Sequence, residues 1–373
     1  MASLWVETAY QSLVRAGEEL CGDVVRTFQT EDLFIAVLAS GLQGGAGGHA
    51  KAAATAERAL SMVKAGTSLD EVARALIAAQ GVSFSLLRVL GGTQARLVEC
   101  ETPPIVMIRG GEVELLPVTE GTFHGRLLRE GRFSLQDGDY LVMVSEGYVR
   151  VKGWGRRWGW GDIATATRRW TETRCDADEL LGALIGIHRR FAQEEPRRDV
   201  TVVVMRARPM RSATLWTGPP AEPALDSVAL ARLVAEKGTR IICGDTTAQI
   251  AARLLGTELE IERRPPDGWA EVPPVARLEG VDLVTEGVIT LGRAIERLRG
   301  ARSIRDLPRG EDGATQLARQ LLMADRIRFI IGQAINPLQV ADVERGISKR
   351  QLLAEELIRE LRARGKLVSV EVL

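Results

Sequence analysis

The sequence contains few of the side chains that build metal cages or disulfide frameworks. Its 373 residues include four cysteines and three histidines. The cysteines lie far apart without CxxC spacing, and the histidines are equally scattered. This pattern argues against a zinc cage, a histidine metal site and a disulfide-stabilised secreted fold. We therefore expect a protein of a reducing compartment.

A surplus of charge and long apolar runs are also absent. The 49 basic side chains balance 49 acidic ones, whereas proteins that bind nucleic acid or anionic membranes carry a surplus of Lys and Arg. No apolar run reaches the roughly 18 residues that span a bilayer. The first residues lack the basic-then-apolar pattern of a signal peptide. We predict a cytoplasmic protein that binds neither nucleic acid nor membranes.

Length and apolar content indicate two globular domains. Hydrophobic residues make up 45% of the chain, and a single core rarely grows past about 250 residues. A segment rich in Pro, Arg and small residues follows an apolar strand predicted over 200–206. We predict a first domain over residues 1–208, a linker over 209–223 and a second domain over 224–373.

The pattern of apolar residues differs between the two parts and predicts an α/β protein overall. The first part has many short apolar segments, two early helices (50–64 and 69–79) and one late helix (176–193). This pattern indicates an α+β sandwich flanked by helices. In the second part, strands alternate with helices from residue 227 to residue 372. That alternation is typical of a mostly parallel sheet.

Acidic or glycine-rich blocks stand at the ends of several predicted strands in the first part. They are Gly22-Asp23, Ser40–Gly44, Asp137–Gly147 and Arg198–Val204. Their order and spacing resemble the metal-dependent serine/threonine phosphatases of the protein phosphatase 2C (PPM) group, whose blocks read roughly GDD, ADGxGxG, GDxLxLxSDGV and DDxTxVVxR. The stage II sporulation protein E-like branch is the most similar. A Gly- and Trp-rich stretch at 153–160 resembles a hydrogenase-associated group of that branch.

The resemblance implies a sandwich of the PPM type and a catalytic centre with two divalent cations, Mn or Mg, bridged by aspartates. The cations lower the pKa of a bound water, and this water attacks the phosphoserine phosphorus. Hard oxygen ligands suit both metals. In this sequence Asp23 matches the first metal aspartate and Glu146 replaces another, so these two residues would be the metal ligands.

Other positions depart from the pattern of the family. Ser40 and Arg198 stand where the family has metal-binding aspartates, and Asp199 falls at the second aspartate of the last block. We expect Arg198 to fill the space of the cations, paired with Asp23 and Glu146. If the last strand is shifted by one residue, Asp199 points inward instead, because side chains alternate along a strand. In either register Ser40 leaves the bridging position without a carboxylate.

These departures predict a signalling or regulatory protein with a depleted metal site. In this interpretation Asp23, Glu146 and Asp199 are remnants of a catalytic site, and no cofactor is bound. The partner is a protein or phosphoprotein, and a hydrogenase-linked regulatory system is one candidate. The alternative is an active phosphoserine phosphatase that uses the same residues with Mn or Mg.

Turns after predicted strands of the second part indicate a ligand site. Gly244, Thr246 and Thr247 follow one strand, and Thr285 and Gly287 follow another; a third turn is expected over 332–337. Free backbone N–H groups at helix N-termini suit anions, and ligands of open α/β sheets bind at the carboxyl edge. A further alternative function is therefore that this regulatory domain senses a small anion. Capping of the helices by the threonines is the alternative.

Overall fold

The chain folds into two units, Met1–Pro209 and Met210–Leu373. The computed structural model describes residues 4–78, 81–149, 152–153, 156–192, 196–235, 237–261, 273–301, 303–310, 312–334, 340–342 and 347–373. No helix in these ranges is both long enough and apolar enough to cross a lipid bilayer. Each unit is considered by itself below.

The first unit is built mainly from antiparallel strands. The strands are β1 (Leu4–Leu13), β2 (Asp23–Gln29), β3 (Leu33–Gly41), β4 (Val82–Leu90), β5 (Gln94–Cys100), β6 (Val106–Arg109), β7 (Glu112–Glu114), β8 (Val118–Phe123), β9 (Arg126–Ser134), β10 (Tyr140–Val144), β11 (Lys152–Gly153), β12 (Arg156–Arg157) and β13 (Val200–Pro209). The helices are α1 (Gly45–Lys64), α2 (Leu69–Ile77), α3 (Glu146–Val149), α4 (Trp160–Thr171) and α5 (Ala177–Ala192).

Two sheets pack face to face in this unit, with strand orders β1-β13-β10-β6-β7 and β2-β3-β4-β5-β9-β8. Strand β10 shows why the sequence folds this way, since all five of its residues are buried. Leu141 and Met143 contribute to the core between the sheets, whereas Val142 and Val144 pack under α4 and α5. A strand covered on both faces is apolar throughout.

Helices cover the outer faces of both sheets. The apolar faces of α4 and α5 pack on the first sheet, and α1 and α2 pack on the second. Helix α2 begins at the predicted capping box, in which Ser68 accepts from the backbone of Glu71 and the Glu71 carboxylate accepts from the backbone of Ser68. The fold class predicted from the sequence, a β-sandwich flanked by helices, is confirmed.

The second unit is a mostly parallel sheet with helices on both faces. Its strands are β14 (Ser212–Thr217), β15 (Thr239–Cys243), β16 (Glu260–Ile261), β17 (Ala276–Leu278), β18 (Val281–Thr285), β19 (Arg326–Ile331), β20 (Val340–Asp342), β21 (Ile347–Ser348) and β22 (Leu367–Val372). The helices are α6 (Asp226–Ala235), α7 (Asp245–Leu255), α8 (Val288–Gly300), α9 (Gly313–Met323) and α10 (Lys349–Ala363), with 3-10 turns at Pro223–Leu225 and Ile304–Asp306.

The sheet of the second unit has the order β16-β17-β18-β15-β14-β19-β22. Strands β18, β15, β14, β19 and β22 run parallel. Helices α8, α9 and α10 pack on one face, and α6 and α7 pack on the other. The ends of β15 and β18 that carry the predicted turns therefore lie side by side at the carboxyl edge.

The structure corrects the linker predicted over 209–223. Strand β14 lies within that range and is hydrogen-bonded to β15 and β19 in the middle of the sheet. Its Ala213, Leu215 and Trp216 side chains are buried in the two cores of the unit. Pro and Arg residues flank this short apolar run, so the sequence pattern indicated a linker and not a strand. The second unit thus begins at Met210 instead of residue 224.

A buried carboxylate in β5 makes the stability of the first unit sensitive to pH. Glu99 is 1% exposed. Its carboxylate accepts a hydrogen bond from the backbone N–H of Ile105 at 2.8 Å and lies 3.1 Å from Nε of Arg129. Burial raises the pKa of Glu99 to about 7, although Arg129 opposes this shift.

We predict that this unit loses stability as the pH rises from about 5 to 8. The raised pKa means that the folded state holds the Glu99 proton more tightly than the unfolded state does, so the charged form is the destabilising one. Replacing Glu99 by Gln should remove up to about 3 kcal/mol of this dependence. Urea unfolding at pH 5 and pH 8 measures the free energy of unfolding of the parent protein and the variant at each pH.

The matched control is Glu112→Gln, because the Glu112 side chain is 80% exposed. This variant should keep the pH dependence of the parent protein. An equal dependence in Glu99→Gln and the parent would contradict the assignment to Glu99.

Candidate functional site

The first candidate site residues lie opposite each other on neighbouring strands. Asp23 begins β2, and Ser40 stands near the end of β3. The antiparallel register of the two strands pairs Asp23 directly with Ser40. Both residues are buried, with 7% and 9% exposure. The structure therefore brings together the two positions that the sequence assigned to metal aspartates.

The Asp23 carboxylate is buried without full compensation. Its Oδ2 atom and the Ser40 hydroxyl have no hydrogen-bond partner among the described residues. Burial raises the pKa of Asp23; the nearby hydroxyls of Ser145, Ser40 and Thr201 oppose this shift, and the charge of Asp199 adds to it. The site thus contains an open carboxylate oxygen in a poorly solvated place, which is costly for a charged group.

Asp199 lies beside Asp23, immediately before β13. Its Oδ1 atom accepts a hydrogen bond from the backbone N–H of Arg15 at 3.2 Å. A Cβ atom on Gly22 would come within 2.8 Å of Asp199 Oδ2, so the carboxylate packs against the backbone at Gly22. Asp199 therefore approaches the start of β2, as the shifted register considered for the last strand requires.

Arg198 makes a close ion pair with Glu146, the first residue of α3. Nη1 of Arg198 lies 2.6 Å from Oε2 of Glu146, and the two side chains are 57% and 36% exposed. No ion pair joins Arg198 to Asp23, although both residues are described. Of the two partners expected for Arg198, the structure places only Glu146 against it.

Sequence reasoning missed the residues that complete this region. The Ser145 hydroxyl accepts from the backbone N–H of Thr201 at 2.8 Å, and the Thr201 hydroxyl lies 2.8 Å from that of Ser12. The Arg15 guanidinium pairs with Glu18 at 2.5 Å and packs closely on Gly44. Ser145 stands inside a recognised block and could have been identified, whereas nothing in the sequence marks Arg15.

Cys21 lies two residues before Asp23 and is an unreactive thiol in this environment. Burial, together with the charge of Asp23, raises its pKa to about 12. Since the thiolate is the reactive form of cysteine, Cys21 is not placed to act as a nucleophile at neutral pH.

The two turns predicted to bind an anion in the second unit lie next to each other, but the donors of one already bind the carboxylate of Glu286. The backbone N–H of Gly244 donates to the carbonyl of Thr285 at 2.8 Å, and the first backbone N–H groups of α8 donate to the side chain of Glu286. Thr246 is exposed at the start of α7. Thr247 is buried, and its hydroxyl has no partner in the described part of the chain.

This arrangement limits what the second candidate site can bind. The Thr285 hydroxyl donates within its own turn, to the carbonyl of Glu286, and Gly287 lies against Gly244. Glu286 satisfies the donors at the start of α8 that an anion would need. Of the third predicted turn, residues 335–337 lie outside the described residues.

Comparison with known families covers part of the first unit. Residues 47–208 match the family model described as Stage II sporulation protein E (SpoIIE). The resemblance to this family that the sequence predicted is therefore confirmed for residues 47–208. The match includes Glu146, Arg198 and Asp199, but it begins after Asp23 and Ser40. No curated protein matches the chain.

Several solved structures are similar. The SpoIIE phosphatase domain from Bacillus subtilis is 16% identical, over 56% of this chain and 94% of that one, with a TM-score of 0.44. The RsbU and RsbW domains of Rv1364c from Mycobacterium tuberculosis are 16% identical, over 62% and 68%, with a TM-score of 0.49. The catalytic domain of the phosphatase PstP, in complex with 2 manganese ions, is 18% identical, over 55% and 100%, with a TM-score of 0.39.

The side chains of this site do not fit a pair of divalent cations. Among the described residues, no group of three or more His, Cys, Asp or Glu side chains is arranged to hold a metal ion. Arg198 binds the Glu146 carboxylate that a cation would need, and Ser40 presents a hydroxyl beside Asp23. A guanidinium stays charged at all accessible pH values, so pH does not remove this positive charge from beside Glu146.

We predict that Asp23→Asn stabilises the protein at pH 7.5. The raised pKa of Asp23 means that its charged form costs folding free energy, and this cost is present at high pH and lost as the pH falls. A neutral side chain of the same shape should therefore add on the order of 1 kcal/mol at pH 7.5 and less at pH 4.5. Denaturant unfolding at pH 7.5 and pH 4.5 measures this difference in the free energy of unfolding.

Asp199→Asn serves as the matched control, because the Asp199 carboxylate accepts a backbone hydrogen bond. This variant should not gain stability at pH 7.5. If Asp23→Asn instead lowers the free energy of unfolding at both pH values, the Asp23 charge is compensated in the folded protein and the prediction is wrong.

Proposed function

We propose that the first unit is a pseudophosphatase, a domain of the SpoIIE family that binds a protein or phosphoprotein partner without dephosphorylating it. The ion pair between Arg198 and Glu146 carries this proposal. In the phosphatases that the sequence resembles, both positions are metal-binding aspartates. Here Glu146 is paired with the cationic side chain of Arg198, and Ser40 supplies no charge at a third position.

The exposure of Arg198 supports recognition of a phosphorylated partner. Its side chain is 57% exposed even while it is paired with Glu146. Arginine binds phosphate through two parallel hydrogen bonds, and such charge-assisted bonds are strong. A phosphoserine could therefore exchange with Glu146 for the same guanidinium. The Leu42 side chain, 63% exposed in the glycine-rich turn between β3 and α1, offers apolar contact to a protein.

A cytoplasmic location and a hydrogenase-linked regulatory system belong to the same proposal. They rest on the Gly- and Trp-rich stretch of the sequence. In the described part of that stretch, Trp158 packs against Phe191 at 5.2 Å between ring centroids, and Nε1 of Trp160 donates to the carbonyl of Pro104. These two rings therefore serve packing of the unit itself, which leaves Arg198 and Leu42 as the better supported contact points.

The second candidate is an active phosphoserine phosphatase that uses Mn or Mg. The position of Asp199 favours it, because this carboxylate lies close enough to Asp23 to raise the pKa of Asp23. Asp23 and Asp199 could then share one cation. A third candidate, a small-anion sensor in the second unit, is favoured only by the unpartnered Thr247 hydroxyl and is opposed by Glu286.

We predict that Mn²⁺ leaves the melting temperature of the parent protein unchanged and that p-nitrophenyl phosphate is not hydrolysed with Mn²⁺. Metal binding to the folded state alone would raise stability by about 3 kcal/mol at a metal concentration of a hundred times Kd. Hydrolysis that depends on Mn²⁺ and disappears in Asp23→Asn would establish the active phosphatase instead.

We further predict that the double variant Ser40→Asp, Arg198→Asp gains Mn²⁺ binding, seen as a thermal shift with added Mn²⁺. It restores two carboxylates and removes the cation, so Asp23, Glu146 and the new side chains provide hard oxygen ligands. The control adds Asp23→Asn to the double variant and should lose the shift. A folded double variant that binds no metal would show that these positions are not a former metal site.

A further inference from the structure

Strand β22 forms one edge of the sheet in the second unit. It pairs with β19 on its inner side, and no strand in the described part of the chain pairs with its outer side. The opposite edge is β16, which has only two residues, whereas β22 has six. An open edge is a template for pairing with another strand, and proteins normally keep their edges short or charged. The outer side of β22 is therefore a candidate interaction surface.

The sequence of β22 and the residue after it, LVSVEVL, has nearly the same pattern in both directions. Valines occupy positions 368, 370 and 372, leucines stand at both ends, and Val370 is the centre. Only Ser369 and Glu371 differ between the two directions, and both are polar. Two antiparallel copies of this strand, centred on Val370, therefore place valine against valine, leucine against leucine and Ser369 against Glu371.

The backbone of β22 points the required groups outward. The N–H of Leu373 donates to the carbonyl of Ile331, on the side of β19, at 3.0 Å. Since the backbone groups of successive residues point to opposite sides of a strand, those of the three valines point to the open edge. The Val368 carbonyl agrees with this direction, because it accepts from the side chain of Arg362 at 3.2 Å. It keeps a second lone pair for another donor.

The valine side chains share one face of β22 and become more exposed toward its end. Val368 packs on the core beneath α8, α9 and α10, whereas Val370 and Val372 are 40% and 51% exposed. A twofold axis through Val370 places the exposed Val372 beside Val368 of the second copy. Pairs of β-branched side chains across strands stabilise a sheet. The edge is therefore complementary to itself in both backbone groups and apolar surface.

The single charged side chain of β22 does not oppose this pairing. Glu371 is paired with Arg328 of the neighbouring strand at 2.5 Å. In the symmetric arrangement it lies opposite Ser369 and not opposite the second Glu371, so no two like charges face each other directly.

We propose that β22 pairs with β22 of a second copy of the chain about a twofold axis through Val370, so that the two sheets continue into each other as an antiparallel dimer. Val370 pairs with itself, and Val368 pairs with Val372, with two backbone hydrogen bonds exchanged in each pair. Such an interface uses the same surface on both copies. It belongs to the second unit and is independent of the proposed partner binding at Arg198.

Sedimentation velocity of the full chain tests the association. The weight-average mass should rise from that of one chain to that of two as the concentration increases through the micromolar range. Val370→Lys places two ammonium groups opposite each other on the axis, so it should weaken the dimer about tenfold or more. The matched control is Val228→Lys, because Val228 is 37% exposed but lies on α6, away from the edge. This control should dimerise like the parent protein.

A mixture of cysteine variants tests the register of the two strands. Ser369→Cys of one copy and Glu371→Cys of the other form a pair without hydrogen bonds between them, with Cα atoms about 4.5 Å apart, which suits a disulfide. Each variant alone places its two introduced thiols on a diagonal of about 7–8 Å, which is too long. The oxidised mixture should therefore contain a cross-linked dimer on a non-reducing gel that neither variant alone nor the parent protein forms.

Either of two observations would overturn the proposal. One is a parent protein that stays monomeric throughout the micromolar range, which would leave the edge to a strand of a different protein. The other is a dimer that Val370→Lys and Val228→Lys weaken equally, or that the cysteine mixture does not cross-link, because such a dimer uses another surface. The parent protein and the cysteine mixture test the proposal even if Val370→Lys fails to fold. None of these results bears on metal binding at Asp23.

Discussion

The candidate site is governed by the guanidinium of Arg198 where it meets Glu146. A two-cation phosphatase centre needs carboxylates in excess, because the metals bring positive charge that the protein must offset. At 2.6 Å from Glu146, Arg198 supplies one positive charge, which its guanidinium keeps at all accessible pH values, whereas the charge that acts on Asp23 is that of Asp199. The Ser40 hydroxyl and the open Oδ2 of Asp23 lie in the same region, each without a hydrogen-bond partner among the described residues.

The sheets and the loop at Arg15 position the residues of the candidate site. Asp23 and Ser40 are held in register by the β2–β3 ladder, and Asp199 is held by the backbone of Arg15. These constraints come from the sheets and their cores, so ligand positions can change while the sandwich persists. The match of residues 47–208 to the SpoIIE model therefore describes the fold, whereas the metal chemistry depends on a few side chains that can change independently.

Much of the architecture could be predicted from the sequence because apolar periodicity and caps are local signals. The strand at Tyr140–Val144 and the capping box at Ser68 are examples. Strand β14 was missed, since only burial in the sheet reveals Ser212–Thr217 among Pro and Arg residues. Helix α4 was missed because its threonines and glycine are weak helix formers, and tertiary packing of Ile163 and Ala164 decides its structure.

The sequence names the residues of the candidate site but does not determine their contacts. The blocks identified Asp23, Ser40, Glu146 and the Arg198-Asp199 pair, whereas the choice of Glu146 over Asp23 as the partner of Arg198 depends on geometry across the site. We propose that this charge balance excludes a metal pair. Equilibrium dialysis against Mn²⁺, with metal counted per chain, tests it most directly. The account predicts no bound Mn²⁺ at millimolar concentration; two ions per chain, lost in Asp23→Asn, would contradict it.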